Sequence, residues 1–294
     1  ALRGRERSRQ PADIVEEVCK LGNNGVKEVT LLGQSIMSYG RKDKVWPENY
    51  YSTRNFTEPL PRLLEAIDAN PGIKRVRFTF GHPSGCSKEL SQAIAELPAV
   101  CEHVHLPLQS GSDRILKLMK RGYLTSDFRA VVKQLRAAVP DIAITTDIIV
   151  GFPSETKQDF EMTRSFMNEI GFDNAFIFKY SSRPYTEAAK LPDNISEQEK
   201  LHRNHILLDD QNRRSLKLQQ SLIHKDIQVL VEGKSKRNSH RWMGRSRTNK
   251  IVVFDEGPEI APGKLIKVTI EHAGLQALYG TVKKAGIVKL AIRH

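Results

Sequence analysis

The stretch IAITTDIIVG (142–151) decides the fold. It is rich in β-branched residues and ends in a glycine, a pattern typical of a buried strand. Helical sequence stands on both sides of it, at 126–138 and again at 155–171. A strand between two helical stretches indicates a parallel sheet whose strands are joined by helical crossovers.

The same alternation extends outward in both directions. A first helix is expected to begin at Pro11, which suits a first turn, and to end at Gly25. Helical sequence precedes each further strand as well. The expected strands are 27–33, 75–80, 103–108, 142–151 and 174–182. We therefore predict an α/β fold with five parallel strands in this part of the chain.

Polar clusters follow each of these strands, among them GQS, QSGSD and GFPSET. In parallel α/β folds, ligands bind at the carboxyl ends of the strands. Turn formation explains the glycines, serines and prolines of these clusters, but it explains less easily the side chains of Gln34, Gln109, Asp147 and Arg183. These four residues are therefore candidates for a functional site.

The pattern changes after a long helical segment that begins near Ser196. Five short strands follow at close spacing, separated by turn signals such as DEGPEIAPGK. This is typical of a small all-β barrel of the OB type. We place the boundary between the two parts near residues 221–226.

Charge is distributed unevenly along the chain, whose net charge is +12. The segment from Ser221 to His294 holds 14 Lys and Arg against 6 Asp and Glu. A basic C-terminal barrel indicates a polyanionic partner such as nucleic acid, although a generic basic surface remains an alternative.

Several classes of site and location are disfavoured. The sequence has no P-loop, no HExxH motif, no apolar signal-peptide core and no run of about 20 apolar residues. Cys19, Cys86 and Cys101 lie too far apart for a disulfide framework or a metal knuckle, which favours a reducing, cytoplasmic setting. His103 and His105 alternate on one strand, so they share a face, and a structural pair is favoured over metal ligands.

Stretches in both parts of the chain resemble the MiaB-type tRNA methylthiotransferases, which are radical-SAM enzymes, and the TRAM domain that ends them. The stretches are RGRERSR, GVKEVTLLGQS, HVHLPLQSGSDRILKLMKRGY, TTDIIVGFPSET, FKYSSRPYTEAA, VLVEGKSKRN and GRSRTNKIVVFD. The resemblance implies a partial (βα)6 radical-SAM barrel without its first unit over 1–220. It further implies a TRAM RNA-binding barrel over 221–285, with 286–294 unassigned.

The resemblance also implies a reaction. These enzymes add a methylthio group to C2 of an N6-prenylated adenosine next to the tRNA anticodon, using S-adenosylmethionine (SAM) and two [4Fe-4S] clusters. The family's cluster cysteines, in a CxxxCxxC motif and an N-terminal domain, are expected before Ala1. The chain is therefore expected to be a fragment that ligates no cluster and is inactive alone. Expected partners are the tRNA anticodon stem-loop and an electron donor such as flavodoxin or ferredoxin, with a monomeric state and no membrane.

The family's pattern assigns roles to individual residues. SAM contacts are expected from residues at the strand ends: Gln34, Ser35, Gln109, Ser110, Asp147 and Arg183. RNA contacts are expected at the N-terminus and on the barrel: Arg3, Arg5, Arg7, Arg9, Arg237, Arg241, Trp242, Arg245, Arg247 and Lys250. Trp242 is equally consistent with a place in the barrel core. The chain departs from the family at Gly81, Ser84 and Tyr185, and Tyr185 stands where the family commonly has glycine.

Two other functions stay open at this point. A sister class with the same architecture methylthiolates an aspartate of ribosomal protein S12, but LLGQS and the basic barrel favour tRNA. The second alternative is a non-catalytic RNA-binding protein that has lost its clusters.

Overall fold

A computed structural model describes residues 7–33, 36–43, 45–46, 52–79, 81–255, 257 and 260–283. The chain divides into two units, Ala1–Ser215 and Leu216–His294. The predicted Gln34, Ser35, Arg3 and Arg5 lie outside the described residues.

Helices and strands alternate through the first unit. Helix α7 begins in this unit and its last residues belong to the second. The elements are α1 (Pro11–Asn23), β1 (Glu28–Leu31), α2 (Pro59–Asp68), β2 (Arg75–Phe78), α3 (Lys88–Glu96), β3 (His103–His105), α4 (Asp113–Leu118), α5 (Thr125–Ala138), β4 (Ala143–Val150), α6 (Lys157–Ile170), β5 (Asn174–Lys179) and α7 (Glu197–Gln220).

The five strands are parallel and follow one another in chain order. β1 pairs with β2, and β4 pairs with both β3 and β5. A parallel bridge between Val76 and Val100 joins the two groups, and the Gly81 N–H donates to the His105 carbonyl at 3.1 Å. The carboxyl ends of all five strands therefore lie along one edge.

One face of these strands packs against the helices. Its side chains are almost fully buried and apolar, as in Val76, Val104, Ile144 and Ile148. The helices contribute residues such as Leu63, Leu64, Ile67, Leu90 and Phe128 to the same core. We call the opposite face of the strands the inner face. Burial of the helix-packed face supplies the main stabilisation of the unit.

The second unit is a closed antiparallel barrel except for one parallel strand pair. Its strands are β6 (Asp226–Lys234), β7 (Trp242–Ser246), β8 (Ile251–Phe254), β9 (Leu265–Ala273) and β10 (Leu278–Val282). They pair in the order β10-β8-β7-β6-β9, and β9 returns to β10 to close the barrel. The β8–β10 pair is parallel. The interior is filled by Val229, Val231, Val252, Phe254, Val268, Ile270 and Leu278.

Two glycines allow the barrel strands to approach closely. A Cβ at Gly244 would lie 2.1 Å from the Leu230 carbonyl oxygen, and one at Gly280 would lie 2.0 Å from that of Thr269. Neither distance is possible for real atoms, so a side chain at either position would force the strands apart. Small barrels need such sites where strands bend.

The predicted fold class is confirmed in both parts: five parallel strands alternate with helices, and a closed five-stranded barrel follows. The third strand is shorter than the predicted 103–108: it ends at His105, and beyond it the Leu108 N–H donates to the Thr146 hydroxyl instead of a main-chain carbonyl of β4. Helix α4 ends at Leu118, and Lys120 just beyond it adopts a left-handed backbone with φ +54°.

Candidate functional site

The inner face of the strands carries mostly polar side chains, although much of it is buried. It carries Glu28 on β1, Arg75 and Arg77 on β2, two histidines on β3, and Thr145 and Asp147 on β4. Alternation along each strand sends these side chains away from the helix-packed core. Because buried polar groups cost free energy unless they are paired, the face must be organised by specific contacts.

A row of hydrogen bonds crosses from β3 to β4. The Thr145 hydroxyl lies 3.4 Å from His103 Nε2 and 2.9 Å from His105 Nδ1. His105 Nε2 lies 3.3 Å from Asp147 Oδ2. The two histidines therefore share one face, as predicted. A carboxylate can only accept, so the Asp147 contact places the His105 proton on Nε2 and leaves Nδ1 to accept from Thr145.

Charged residues of β1 and β2 form a second group on the inner face. The Arg77 Nε donates to Glu28 Oε1 at 3.0 Å, and Arg75 Nη1 lies 3.9 Å from Glu28 Oε2. The Arg75 side chain has no exposed surface. The Glu28 carboxylate holds both cations in place. Neither arginine is available to an outside ligand without rearrangement.

Gln109 occupies a special backbone position after β3. Its φ is +69°, in the left-handed region that non-glycine residues seldom adopt. The main chain is fixed by β4: the Gln109 N–H donates to the Asp147 carbonyl at 2.8 Å, and the Ile149 N–H donates to the Gln109 carbonyl at 2.9 Å. Its side-chain amide forms no hydrogen bond within the described part of the chain, although the residue is only 6% exposed. That amide is therefore free to meet a ligand.

Ser110 is fully buried and faces a different environment from Gln109. Its hydroxyl lies 3.2 Å from that of Thr163 and accepts from the Ser112 N–H. The Ser112 hydroxyl donates to Asp159 at 2.6 Å. The structure thus places the predicted Ser110 in a network that shapes the loop rather than at its surface.

Asp159 anchors this network, and sequence reasoning did not identify it. Burial alone would raise the pKa of Asp159, but hydrogen bonds from Arg114, Ser112 and Thr156 outweigh burial and hold that pKa well below its usual range. The Thr156 and Asp159 side chains also form a capping box at the start of α6. The TxxD spacing is the sequence signal for this cap.

A buried ion pair lies at the end of β4. The Glu155 carboxylate accepts from the Gly151 N–H at 2.6 Å and from Arg203 Nη1 at 2.8 Å. Burial raises the pKa of Glu155, although the Arg203 pair opposes that shift. Lys200, also buried, donates to Asp193 at 2.6 Å. These contacts fix the turn after β4 to helix α7.

The other predicted residues of the first unit lie on exposed segments. Arg9 pairs with Glu17 at 2.8 Å, and Arg7 is exposed. Arg183 lies exposed beyond β5. Tyr185 has φ +65°, which suits glycine, and its ring is 94% exposed. The structure therefore places Gln109, just after β3, beside Asp147 of β4 through a main-chain hydrogen bond, whereas Arg7 and Arg9 lie on the segment that leads into α1.

The predicted arginines of the barrel lie on or near β7, and the structure describes ion pairs for Arg241 and Arg245. Arg241 donates to Asp255 at 2.6 Å, and Arg245 lies 3.2 Å from Glu232. Arg237 is exposed and donates to Gln276 at 3.3 Å. Arg247 and Lys250 are half-buried at the β7–β8 turn.

Trp242 is half-buried and packs against the barrel core. The Lys234 ammonium lies 4.4 Å from the centre of its ring, a cation–π contact. The indole N–H is buried and has no hydrogen-bond partner among the described residues. A ring with one face covered has less surface for a base, and stacking by Trp242 stays a prediction.

The described cysteines do not fit an iron–sulfur cluster. Cys19 lies on α1, Cys86 follows a short turn before α3, and Cys101 precedes β3. Burial raises the pKa of the Cys86 thiol to about 12, whereas a cluster needs thiolates. Within the described ranges, no group of three or more His, Cys, Asp or Glu is arranged to hold a metal ion. We derive no chemical step through a cluster from these residues.

Helices long and apolar enough to cross a membrane do not occur among the described residues.

Two family models match the chain. The Radical SAM superfamily model matches residues 1–167, and the TRAM domain model matches residues 220–283. The chain is also similar to proteins named tRNA-2-methylthio-N(6)-dimethylallyladenosine synthase. That from Methylacidiphilum infernorum is 45% identical over 97% of this chain, and that from Alkaliphilus oremlandii is 45% identical over 95%.

The chain spans 59% and 57% of the lengths of these two relatives. Among solved structures, coproporphyrinogen III oxidase from Escherichia coli, described as a radical SAM enzyme, gives a TM-score of 0.49 at 12% identity. The match covers 82% of this chain and 61% of that one. We transfer no detail from it.

Proposed function

The chain belongs to the radical SAM superfamily, and from that membership we propose that the whole protein is a tRNA methylthiotransferase. It would add a methylthio group to C2 of an N6-dimethylallyladenosine next to the anticodon. One observation carries this proposal: relatives with that named activity match 97% of the chain, through both its radical SAM and its TRAM regions.

The chemistry of the site supports SAM as a ligand. The Gln109 amide can donate and accept, and it has no partner among the described residues. Asp147 keeps about a quarter of its side chain exposed (24%) and can accept from a hydroxyl. The Arg183 guanidinium can pair with a carboxylate. We propose that these three residues hold SAM, together with Gln34 and Ser35. When bound, SAM supplies the radical and methyl chemistry that an unactivated aromatic C–H bond requires.

The residues of the inner face would act by binding and orientation. His105 holds the Asp147 carboxylate at 3.3 Å, so that Asp147 meets a ligand in one orientation. The backbone bonds between Gln109 and β4 hold the Gln109 main chain beside Asp147. Such a rigid arrangement reduces the entropy cost of positioning reactants.

The barrel unit supports RNA as the partner. Small β-barrels bind single-stranded or looped RNA through cationic grooves and stacking. Arg237 and Arg241, with Arg245, Arg247 and Lys250, supply positive charge on or near β7. We propose that they contact the anticodon stem-loop, joined by Arg3, Arg5, Arg7 and Arg9. The proposal includes a flavodoxin- or ferredoxin-type electron donor, a monomeric protein and a cytoplasmic location.

The reaction can be tested directly on the whole protein. After anaerobic reconstitution with iron and sulfide, it is incubated with SAM, a reductant and an anticodon stem-loop RNA carrying N6-dimethylallyladenosine. Mass spectrometry of the nucleosides should show the 2-methylthio product. The same RNA with plain adenosine is the matched control. Methylthiolation of an aspartate in an S12 peptide, without RNA product, would replace the proposal with the sister class.

RNA binding can be tested on the chain itself. Replacing Arg237 and Arg241 by alanine should weaken binding of the stem-loop and reduce the salt dependence by about 0.7 in logarithmic slope per lost phosphate contact. The double variant Lys88→Ala with Lys133→Ala, at exposed positions of α3 and α5, also removes two charges and is the matched control. Equal losses in the two variants would remove the support for a barrel RNA surface.

A further inference from the structure

Two phenylalanines occupy the inner face of β5. Phe176 is 51% exposed and Phe178 is 53% exposed. Ala175, on the opposite, helix-packed face of the strand, is buried. The inner face of the other strands carries polar side chains at most positions. Aromatic rings on a strand interior normally gain stability by burial, and these two gain only half of it. We call this pair the aromatic wall.

The aromatic wall adjoins the polar row of the candidate site. Phe176 stands opposite Asp147 in the β4–β5 ladder, and Phe178 stands opposite Ile149. The Phe176 ring packs edge-on against His105, with 6.0 Å between ring centres. The same surface therefore offers apolar ring faces beside hydrogen-bonding groups.

Helix α7 covers the outer face of β5, so the aromatic wall is the accessible face of this strand. The Asn204 side chain of α7 donates to the Ile177 carbonyl at 2.9 Å. Gln211 and Ser215 of the same helix bond the Phe172 and Asp173 carbonyls just before the strand. In the described part of the sheet, β5 is the last strand of the order. A ligand can approach its inner face from the side.

We propose that Phe176 and Phe178 receive the dimethylallyl-bearing adenine of the RNA substrate, and this rests on the proposed function. A nucleobase stacks on phenyl rings, and the five-carbon group adds apolar surface that an unmodified adenine lacks. Phe176 stands opposite Asp147, so a base on the wall would lie beside SAM held by that carboxylate. The basic charge of the chain favours an RNA ligand over an acidic peptide. The wall would therefore be the part of the site that distinguishes the prenylated base from a plain adenine.

Binding without turnover tests the wall. The whole protein is titrated with two stem-loop RNAs that differ only in the dimethylallyl group, and affinity is followed by fluorescence anisotropy. The wild type should prefer the prenylated RNA. Phe176→Ala with Phe178→Ala should reduce that preference about tenfold, as expected for the loss of apolar contact with the five-carbon group. Leucine at both positions should keep part of the preference because it preserves apolar contact.

Two controls make the result decisive. Leu21→Ala removes an exposed apolar side chain (37%) from the last turn of α1, at the opposite edge of the sheet, and it should leave the preference unchanged. SAM affinity is measured on the same proteins by calorimetry. If the alanine pair weakens SAM binding but keeps the prenyl preference, the wall serves SAM and the proposal is overturned. Unchanged values for both ligands also overturn it, since a wall covered by another part of the protein contacts neither.

The wall and the proposed reaction can fail separately. Prenyl preference that depends on the two phenylalanines, in a protein that makes no methylthio product, would leave the wall standing and refute the reaction. A protein that makes the methylthio product but binds both RNAs equally would support the reaction and refute the role of the wall.

Discussion

Each unit has five strands among the described residues, and the two units use the inside of their sheets in opposite ways. The closed barrel β6–β10 packs valine, isoleucine, leucine and phenylalanine inside and places its charges outside. The parallel strands β1–β5 bury their apolar face against helices and turn arginine, histidine and aspartate inward. The apolar interior of the barrel stabilises that unit, whereas the inner face of the parallel strands carries the polar residues of the candidate site. A sheet can offer a polar interior only when another layer supplies its core.

The strongest test of this contrast compares two phenylalanines. Phe254→Ala removes a fully buried ring from the barrel and should cost about 3–5 kcal/mol. Phe176→Ala, on the inner face, should cost well under half of that. Each unit has one tryptophan, Trp46 and Trp242, so denaturation in a Trp46→Phe or Trp242→Phe background reports on one unit at a time. Equal losses would show that the inner face of β5 is also core.

The second test concerns ion pairs inside and outside. Glu28→Gln leaves Arg77 buried beside a neutral group and should lower the unfolding free energy of the first unit by about 3 kcal/mol. Asp255→Asn breaks the exposed pair with Arg241 in the barrel and should cost less than about 1 kcal/mol. Urea denaturation measures both. A loss of less than about 1 kcal/mol for Glu28→Gln would mean that water reaches Arg77 and screens its charge.

The third test uses pH. The pKa of Asp159 is held below its ordinary value of 3.8 in the folded protein, so the unfolded chain takes up the proton first as pH falls. The stability from this group is therefore complete above about pH 5 and is lost progressively as pH drops through 4 and below. Asp159→Asn should cost about 2 kcal/mol at pH 7 and flatten this dependence. Asp141→Asn, an exposed aspartate before β4, should leave the acid limb unchanged.

The smallest effect is expected at Asp147. Asp147→Asn should change stability by less than about 1 kcal/mol because the side chain is partly exposed. It should nevertheless alter the His105 signals in a nitrogen–proton correlation spectrum, since the carboxylate no longer fixes the Nε2–H tautomer. A wild-type spectrum with the proton on Nδ1 would contradict the direction of the hydrogen-bond row.

The strands of both units were predictable because short-range pattern determines them. Runs such as IAITTDIIVG carry β-branched side chains and end in turn residues, and His103 and His105 fall on one face by alternation alone. The contacts that organise the site were not predictable in this way. Arg114 reaches Asp159 and Arg203 reaches Glu155 across more than forty residues of sequence.

The aromatic wall shows the same limit from another side. FIF in NAFIFKYSS predicts a strand, but all three residues are apolar, so periodicity does not reveal which face is open. The packing of α7 decides which face of β5 is covered. It lies on the side of Ile177, so Phe176 and Phe178 remain exposed on the other face. The left-handed Gln109 is likewise set by its bonds to β4 and carries no local signal, since glycine or asparagine would be the usual choice there.

The closure of the small barrel has a consequence for how it is made. β10 joins β8 to β9, so both of those strands keep an unpaired edge until the chain has been synthesised through Val282. Unpaired edges of apolar strands are sites of aggregation, whereas each helix–strand unit of the parallel sheet can begin to fold as it emerges. Ribosome stalling or premature termination before Leu278 would therefore expose the barrel, more than the parallel sheet, to misassembly.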